Sequence, residues 1–280
     1  MPAPIAMSVN QLVRMKFMSF QLKVPANWQH PTGDALDAYN TAFKDNEKSV
    51  APGFPPLFLP ATMNKVHVDA QKMHVDKVGK FIDDMIDAIC SAWRTWQATA
   101  ALTGVMVTGP VATMGTIVAP PLEGLILANM MPKATTPMLM KYTTAVAKAI
   151  GTGWASWAAS FMIPGLPMFP AFAMFPLGMA PPTPSLPMPL LAMTQVTALL
   201  SADALKQAMV ANLGDPQAPF HDKLFEAIAD GFATTFKLWQ GMTTVTKIFG
   251  TGPVPTFAPP VTPAGPVMGG TATGTPGFLT

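Results

Sequence analysis

The residues best suited to hold a metal ion form a short duplicate, His67-Val68-Asp69 followed by His74-Val75-Asp76. Imidazole and carboxylate are good zinc ligands, but on a helix a seven-residue offset sets the two pairs about 10 Å apart. One ion cannot span that gap, so the duplicate reads as a solvated helix face. The adjacent carboxylates Asp83 and Asp84 fail as an acid/base pair because neighbours on a helix diverge by about 100°. His221 and Asp222 precede an apolar-periodic stretch, where Asp222 is a candidate helix cap. Gly250-Thr251-Gly252-Pro253 lacks the Lys-Ser/Thr and the strand-then-helix context of a phosphate loop. Cys90 excludes an internal disulfide and falls on an apolar helix side, as a small buried hydrophobe does. With four histidines, one cysteine and none of the common hydrolase or redox spacings, the chain reads as a non-enzyme with no catalytic, cofactor-binding or metal site.

The elements that would position any site carry the stronger pattern. Ile82, Ile86, Ile89, Trp93 and Trp96 recur at spacings of four, three, four and three, which puts them on one helix face with Asp83, Asp84, Asp87 and Arg94 off it. Phe225, Ala229, Phe232, Phe236 and Trp239 repeat that face, and Ala147, Ile150, Trp154 and Trp157 offer it again. A shift of 61 residues carries the first copy onto the middle one, and a shift of 143 carries it onto the third. Each helix runs into an uncharged Pro/Gly-rich tail: Thr108-Gly109-Pro110-Val111 to Ala119-Pro120-Pro121, Gly165 to Ala180-Pro181-Pro182, and Thr251-Gly252-Pro253-Val254 to Ala258-Pro259-Pro260. Self-similarity at a fixed offset marks one supersecondary unit that buries its face against its neighbours.

Asp87 and Asp230 share a repeat position that Lys148 fills in the middle copy, which reads as a polar helix flank. The tryptophans lie on the apolar faces, so packing among the repeats is their first reading and contact with a partner their second. Trp93, Trp96, Trp154, Trp157 and Trp239, with Pro110, Val111, Pro253 and Val254 from the tails, are therefore the candidate partner-binding residues.

The segmentation expected is a Pro-rich leader at 1–60, a first repeat at 61–123, a second at 124–189, a connecting helix at 190–222 and a third repeat at 223–280. In the leader, Ser8 to Lys23 is either a short helix or extended, Pro25 to Pro60 is turn-rich, and Asp34 to Lys44 reads as a short helix. Ser201 is a plausible cap for the connecting helix, and Gly214-Asp215-Pro216 a stop. Prolines recur every two to four residues from Ile163 to Pro189, which argues against both helix and central strand. The fold class expected is mainly α: three helix units, each followed by an extended tail, with little regular sheet.

Only 11% of residues are charged, against roughly 25% in an ordinary soluble domain. Thr95 to Leu122, Ala149 to Ala202 and Ile248 to Thr280 carry no ionisable side chain. Surface of that kind calls for cover by partner subunits or lipid. The net charge is +2 and the basic residues are scattered, which argues against nucleic acid as a partner. No basic region followed by an apolar run opens the chain, so no secretory signal is expected.

A helix followed by an uncharged Thr-Gly-Pro-Val tail, as at Thr108-Gly109-Pro110-Val111 and Thr251-Gly252-Pro253-Val254, resembles small structural proteins of phage tails and contractile injection systems. The resemblance covers about a third of the chain and departs at Phe169-Pro170-Ala171 in the middle copy. It implies a structural or plug-like role within a virion or injection particle, at the baseplate, on a spike or in the tube lumen. The partner implied is a trimeric hub or spike, which three related units packed with pseudo-threefold symmetry would match. The alternative expectation is a membrane-active or exported effector with apolar re-entrant segments. Against a continuous spanning helix stand the breakers in each apolar span.

Overall fold

A computed structural model of the chain describes residues 2–20, 60–171, 173–175, 177–218, 220–255 and 264–280. The chain divides into a larger unit, Met1–Phe17 with Asp83–Thr280, and a smaller one, Met18–Ile82. Most of what is described of the smaller unit is the first part of a long helix, α2 (Pro60–Thr99). Both His-Val-Asp pairs lie on it. The turns and short helix expected between Pro25 and Pro60 fall on residues 21–59, outside the described ones.

The larger unit has two layers of different chemistry. One is helical: α1 (Ala6–Ser19), the part of α2 from Asp83 onward, α3 (Leu122–Met130), α4 (Pro137–Ser160), α5 (Ala202–Leu213) and α6 (His221–Met242). Ser8 to Lys23 thus resolves as helix over its first part. α4 starts where sequence signals say it should, for Thr136 accepts the Leu139 N–H at 3.2 Å and Pro137 takes the first helical position. Ser201 caps α5 through the Ala204 N–H at 3.4 Å, and Gly214, at φ 63°, ends it. Asp222 is not a cap. The cap position of α6 belongs to Phe220 at φ 57°, and Asp222 lies in the first turn.

The other layer is an antiparallel sheet made from the three tails. Its strands are β1 (Ala101–Thr108), β2 (Val111–Val118), β3 (Ile163–Pro167), β5 (Met179–Pro184), β8 (Ile248–Pro253) and β10 (Gly270–Gly274), in the order β3-β2-β1-β10-β8-β5. Two-residue strands β4 (Ala173–Met174) with β9 (Ala264–Gly265), and β6 (Met188–Pro189) with β7 (Thr244–Val245), form small accessory ladders. The fold class expected from the sequence is therefore corrected: the chain is mixed α and β, 53% helix and 22% strand among the described residues.

The prolines did not prevent the sheet because of where they stand. Pro164 and Pro167 are in β3, and Pro181, Pro182 and Pro184 are in β5, the two edge strands, while Pro253 ends β8. An edge strand tolerates a missing N–H that a central strand would not. β1, β2 and β10, all interior to the order, contain no proline.

The arrangement is cyclic. The three inner helices α2, α4 and α6 end at Thr99, Ser160 and Met242, in register at offsets of 61 and 143 residues. Each then supplies a first strand and a second: β1 and β2, β3 and β5, β8 and β10. Beginning from β1, the order passes through β2 to β3, and in the other direction through β10 and β8 to β5, so first and second strands alternate throughout. The two edges, β3 and β5, belong to the same repeat, and the Leu186 N–H just beyond β5 donates to the Pro167 carbonyl of β3 at 3.2 Å. The sheet thus rolls into a barrel with its seam inside the middle repeat. Register obeys the same rule: Met106, Pro167 and Phe249, equivalent in the three copies, face Thr271, Val111 and Pro184 of the neighbouring copy.

Outer helices fill the grooves between inner ones. Asn10 of α1 donates to Asp87 of α2 at 3.3 Å, while Lys16 meets Asp230 of α6 at 3.6 Å. α3 packs on α4, where Gly151 leaves room for Glu123, and Lys133 beyond α3 reaches Asp84 of α2 at 3.1 Å. α5 packs against both α4 and α6, and Lys206 pairs with Glu226 at 2.8 Å. The segment expected as a connector, Ser201 to Leu213, thus occupies the same kind of groove as α1 and α3.

Candidate docking surface around a cyclic aromatic core

The tryptophans meet one another inside the helical layer. Trp93, Trp154 and Phe236, equivalent in the repeats, have ring centroids 4.8, 5.6 and 6.1 Å apart. One turn on, Trp157 lies 5.7 Å from Trp96 and 5.8 Å from Trp239. The two levels interlock in rotation: Trp93 with Trp239 at 5.2 Å, Trp154 with Trp96 at 4.9 Å, and Phe236 with Trp157 at 5.6 Å. Each first-level ring therefore touches the second-level ring of a different copy. Most of these pairs are edge-to-face, the arrangement that ring quadrupoles favour.

No tryptophan of the set is more than 2% exposed. The sequence offered Trp93, Trp96, Trp154, Trp157 and Trp239 as partner contacts as well as core, and their burial removes them from any external surface. Polar ends are handled locally. Trp157 Nε1–H donates to Gln195 Oε1 at 2.6 Å and Trp239 Nε1–H to Gln97 Oε1 at 3.2 Å, while Gln97 donates to the Leu279 carbonyl at 2.9 Å. This last bond ties the helical core to the segment after β10. The Trp93 and Trp154 N–H groups have no oxygen acceptor. Both indoles lie among aromatic rings, Trp93 and Trp154 meeting edge-to-face at 70°.

Among the tail candidates, Pro110 and Pro253 are exposed, Val111 is half-buried and Val254 is buried. The matching tetrapeptides do different work. Thr108-Gly109-Pro110-Val111 is the turn of the β1–β2 hairpin, with Thr108 facing Val111. Thr251-Gly252-Pro253 is strand, Thr251 facing Thr271 across a longer connection. At the far end of the barrel these connections bond to one another around a ring. Gly109 N–H donates to the Val267 carbonyl at 2.6 Å, Val254 N–H to that of Gly178 at 2.8 Å, and Met168 N–H to that of Pro110 at 2.9 Å. First repeat joins third, third joins second, and second joins first.

The surface that the sequence reading did not single out is the outside of this barrel. Buried inside are Leu102, Val105, Val107, Ala112, Leu166, Ile248 and Ala272. Outside, Thr103, Met106 and Thr108 alternate with them along β1, as Thr116 and Val118 do on β2 and Thr271 and Thr273 on β10. The rim adds Met174, Leu177, Met179 and Met268, of which Leu177 is 91% exposed. Every strand falls in a stretch without ionisable side chains or at its border. The signal for it was present as β-branched and small residues without proline in Leu102 to Thr108 and Ala112 to Val118.

Most ionisable side chains of the larger unit belong to the helical layer, where several are paired, and Lys247 stands exposed just ahead of β8. Arg14 is bonded to Asp83 through both Nε (2.7 Å) and Nη2, which raises its pKa further. Lys206 and Lys223 hold the Glu226 carboxyl below its usual range. Burial, with Asp87 nearby, pushes the Cys90 thiol up to about 12, so at neutral pH it is the protonated form that packs in the core. Burial likewise takes the Tyr142 phenol to about 12. No group of three or more His, Cys, Asp or Glu side chains with metal-holding geometry occurs among the described residues. Asp83, Asp84, Asp87 and Asp230 are spoken for by Arg14, Lys133, Asn10 and Lys16. No protein-family model, curated protein or solved structure matches the chain.

Proposed function

We propose that this chain is a non-enzymatic structural component that sits on the axis of a trimeric protein partner. The observation that carries the reading is the cyclic order of its three repeats, which runs through the aromatic core, the strand register and the ring of connections beyond the barrel. One polypeptide presents three near-equivalent sides only along such an axis, and a trimer offers three equivalent surfaces around its own. Heterologous docking at that point requires no symmetry breaking in the partner. The resemblance of the helix-and-tail pattern to phage-tail and injection-system proteins fits the same geometry, since their central hubs and spikes are trimeric. A virion or injection particle is the corresponding location.

The membrane-active alternative has less support. No described helix is long and apolar enough to cross a membrane, and the tryptophans that could mark an interfacial belt are buried. The test is stoichiometry. Particles or complexes that contain the chain should show, by native mass spectrometry, one copy for three copies of one partner polypeptide. A one-to-one complex, or a chain that never leaves the monomer peak in cells that assemble its particle, would overturn the reading.

A further inference from the structure

Building on that reading, we infer that the barrel, and not the helical layer, is the element that docks: its outer wall and rim are covered by the uncharged threefold end of a protein partner. Three observations converge on this end of the larger unit. The first is charge. The strands expose Thr103, Met106, Thr116, Met179, Phe249 and Thr273 with no ionisable side chain among them, whereas the helical layer carries Arg14, Asp83, Lys133, Lys206, Asp222 and Glu226 in exposed or partly exposed ion pairs. Depletion of charge is part of the composition of an interface core. The second is equivalence. On the helices, equivalent positions differ in sign, Asp87 and Asp230 against Lys148, so a symmetric partner would meet attraction on one side and repulsion on another. On the barrel the equivalent positions Met106, Pro167 and Phe249 are all exposed and all uncharged, and Lys247, equivalent to Gly104 and Gly165, is the exposed charged side chain beside the described strands. The third is the closed ring of bonds from Gly109 to Val267, Val254 to Gly178 and Met168 to Pro110, which ties these rim residues together before any partner arrives and lowers the ordering cost of binding.

A lipid surface is the competing occupant, and the chemistry disfavours it. A lipid-facing wall is apolar throughout with aromatic girdles at its borders. Here threonine hydroxyls alternate with the apolar side chains, and every described tryptophan is inside. The hydroxyls need hydrogen-bonding company that a protein surface supplies and hydrocarbon does not.

The experiment places a photo-cross-linking phenylalanine analogue at Met106, at Leu186, which is exposed just beyond β5, and at Phe249, one position in each repeat, and at Met138 on α4 as a helical control. Expected are cross-links from all three barrel positions to the same partner polypeptide in the one-to-three complex, and none from Met138. In parallel, Met106→Lys and Phe249→Lys should each weaken the complex by about tenfold or more, since an unpaired ammonium would be buried in an uncharged interface. Their melting temperatures should stay at the wild-type value, and Met138→Lys should bind normally. Cross-links from Met138 alone, or lysine variants that bind as well as wild type, would overturn the barrel assignment and leave axial docking standing. Flotation of wild-type protein with phosphatidylcholine/phosphatidylglycerol vesicles, abolished by the same lysines, would overturn it in favour of a membrane. Absence of any one-to-three complex would remove axial docking and this inference together.

Discussion

The helical and barrel layers of the larger unit are built by the same three repeats, yet they keep the repetition in different places. In the helices it is kept inside: Trp93, Trp154 and Phe236 pack against one another, while the outer positions diverge into Asp87, Lys148 and Asp230. In the barrel the interior is a set of ordinary aliphatic contacts, and the outside is uncharged in all three repeats apart from Lys247, which stands where the other copies have Gly104 and Gly165. The contrast separates two demands. An internal axis needs matching cores to close, whereas a symmetric partner needs matching surfaces to bind, and the second demand is met only on the barrel.

The largest effect expected follows from the first half of that contrast. Trp154→Ala should cost about 3–5 kcal/mol, because a wholly buried indole leaves a cavity at the point where six other aromatic rings converge. Met106→Ala, on the barrel wall, should stay within about 0.5 kcal/mol of wild type. Urea unfolding of the two variants measures the difference. Equal losses would mean that the wall is as structural as the core, and the division between layers would fail.

A middle-sized effect tests the barrel itself. At Gly252 an added Cβ would stand 2.5 Å from the Cα of Gly270 on the paired strand, so Gly252→Ala forces two backbones apart. A cost of about 1–3 kcal/mol is expected. Gly165→Ala is the control, for nothing lies within 4 Å of its Cβ position. A neutral Gly252→Ala, judged by the urea midpoint, would show the barrel to be looser than its register implies.

The helices were largely legible from sequence and the sheet was not, for reasons particular to this chain. The Ile82 to Trp96 face has a 3.6-residue period over five positions, with charges confined to the other side, and nothing competes with it. In the tails, proline density argued against strands, a sound rule that here falls mainly on the seam strands β3 and β5, with Pro253 only closing β8. The proline-free, β-branched runs of β1 and β2 carried the opposite message in the first tail. Identical tetrapeptides misled as well, since Thr108 to Val111 turns back at once while Thr251 to Val254 does not reach its partner strand until Gly270. Of the candidate contacts, the tryptophans were legible as a set but not as a closed cluster, because inter-repeat distances leave no trace in spacing.

Cys90 allows the helical core to be probed by pH. Its folded value of about 12 lies above the ordinary 9.0, so the folded state holds the proton longer than the unfolded chain does. Its contribution is complete below pH 9 and is lost as pH rises toward 12, at about 1.4 kcal/mol for each unit in that window. Denaturation at pH 8 and pH 10 should show this loss, and Cys90→Ala should flatten it. An alkaline slope unchanged by the substitution would place the loss on another group.

The smallest effect belongs to the charged end. The Glu226 carboxyl is held below its ordinary range by Lys206 and then Lys223. A depressed carboxylate stabilises the fold above its unfolded value and stops doing so as pH falls through the folded one. The pair is partly exposed, so the whole contribution should be about 0.5 kcal/mol, and molar salt should screen most of it. Glu226→Gln should therefore shave a small acid-side loss from the melting curve between pH 6 and pH 3 and leave neutral stability almost unchanged. A drop of several kcal/mol would mean that the ion pairs, more than the aromatic rings, hold the outer helices in their grooves. The charged surface would then be structural in its own right, and its divergence among the three repeats would need an explanation other than freedom from a symmetric partner.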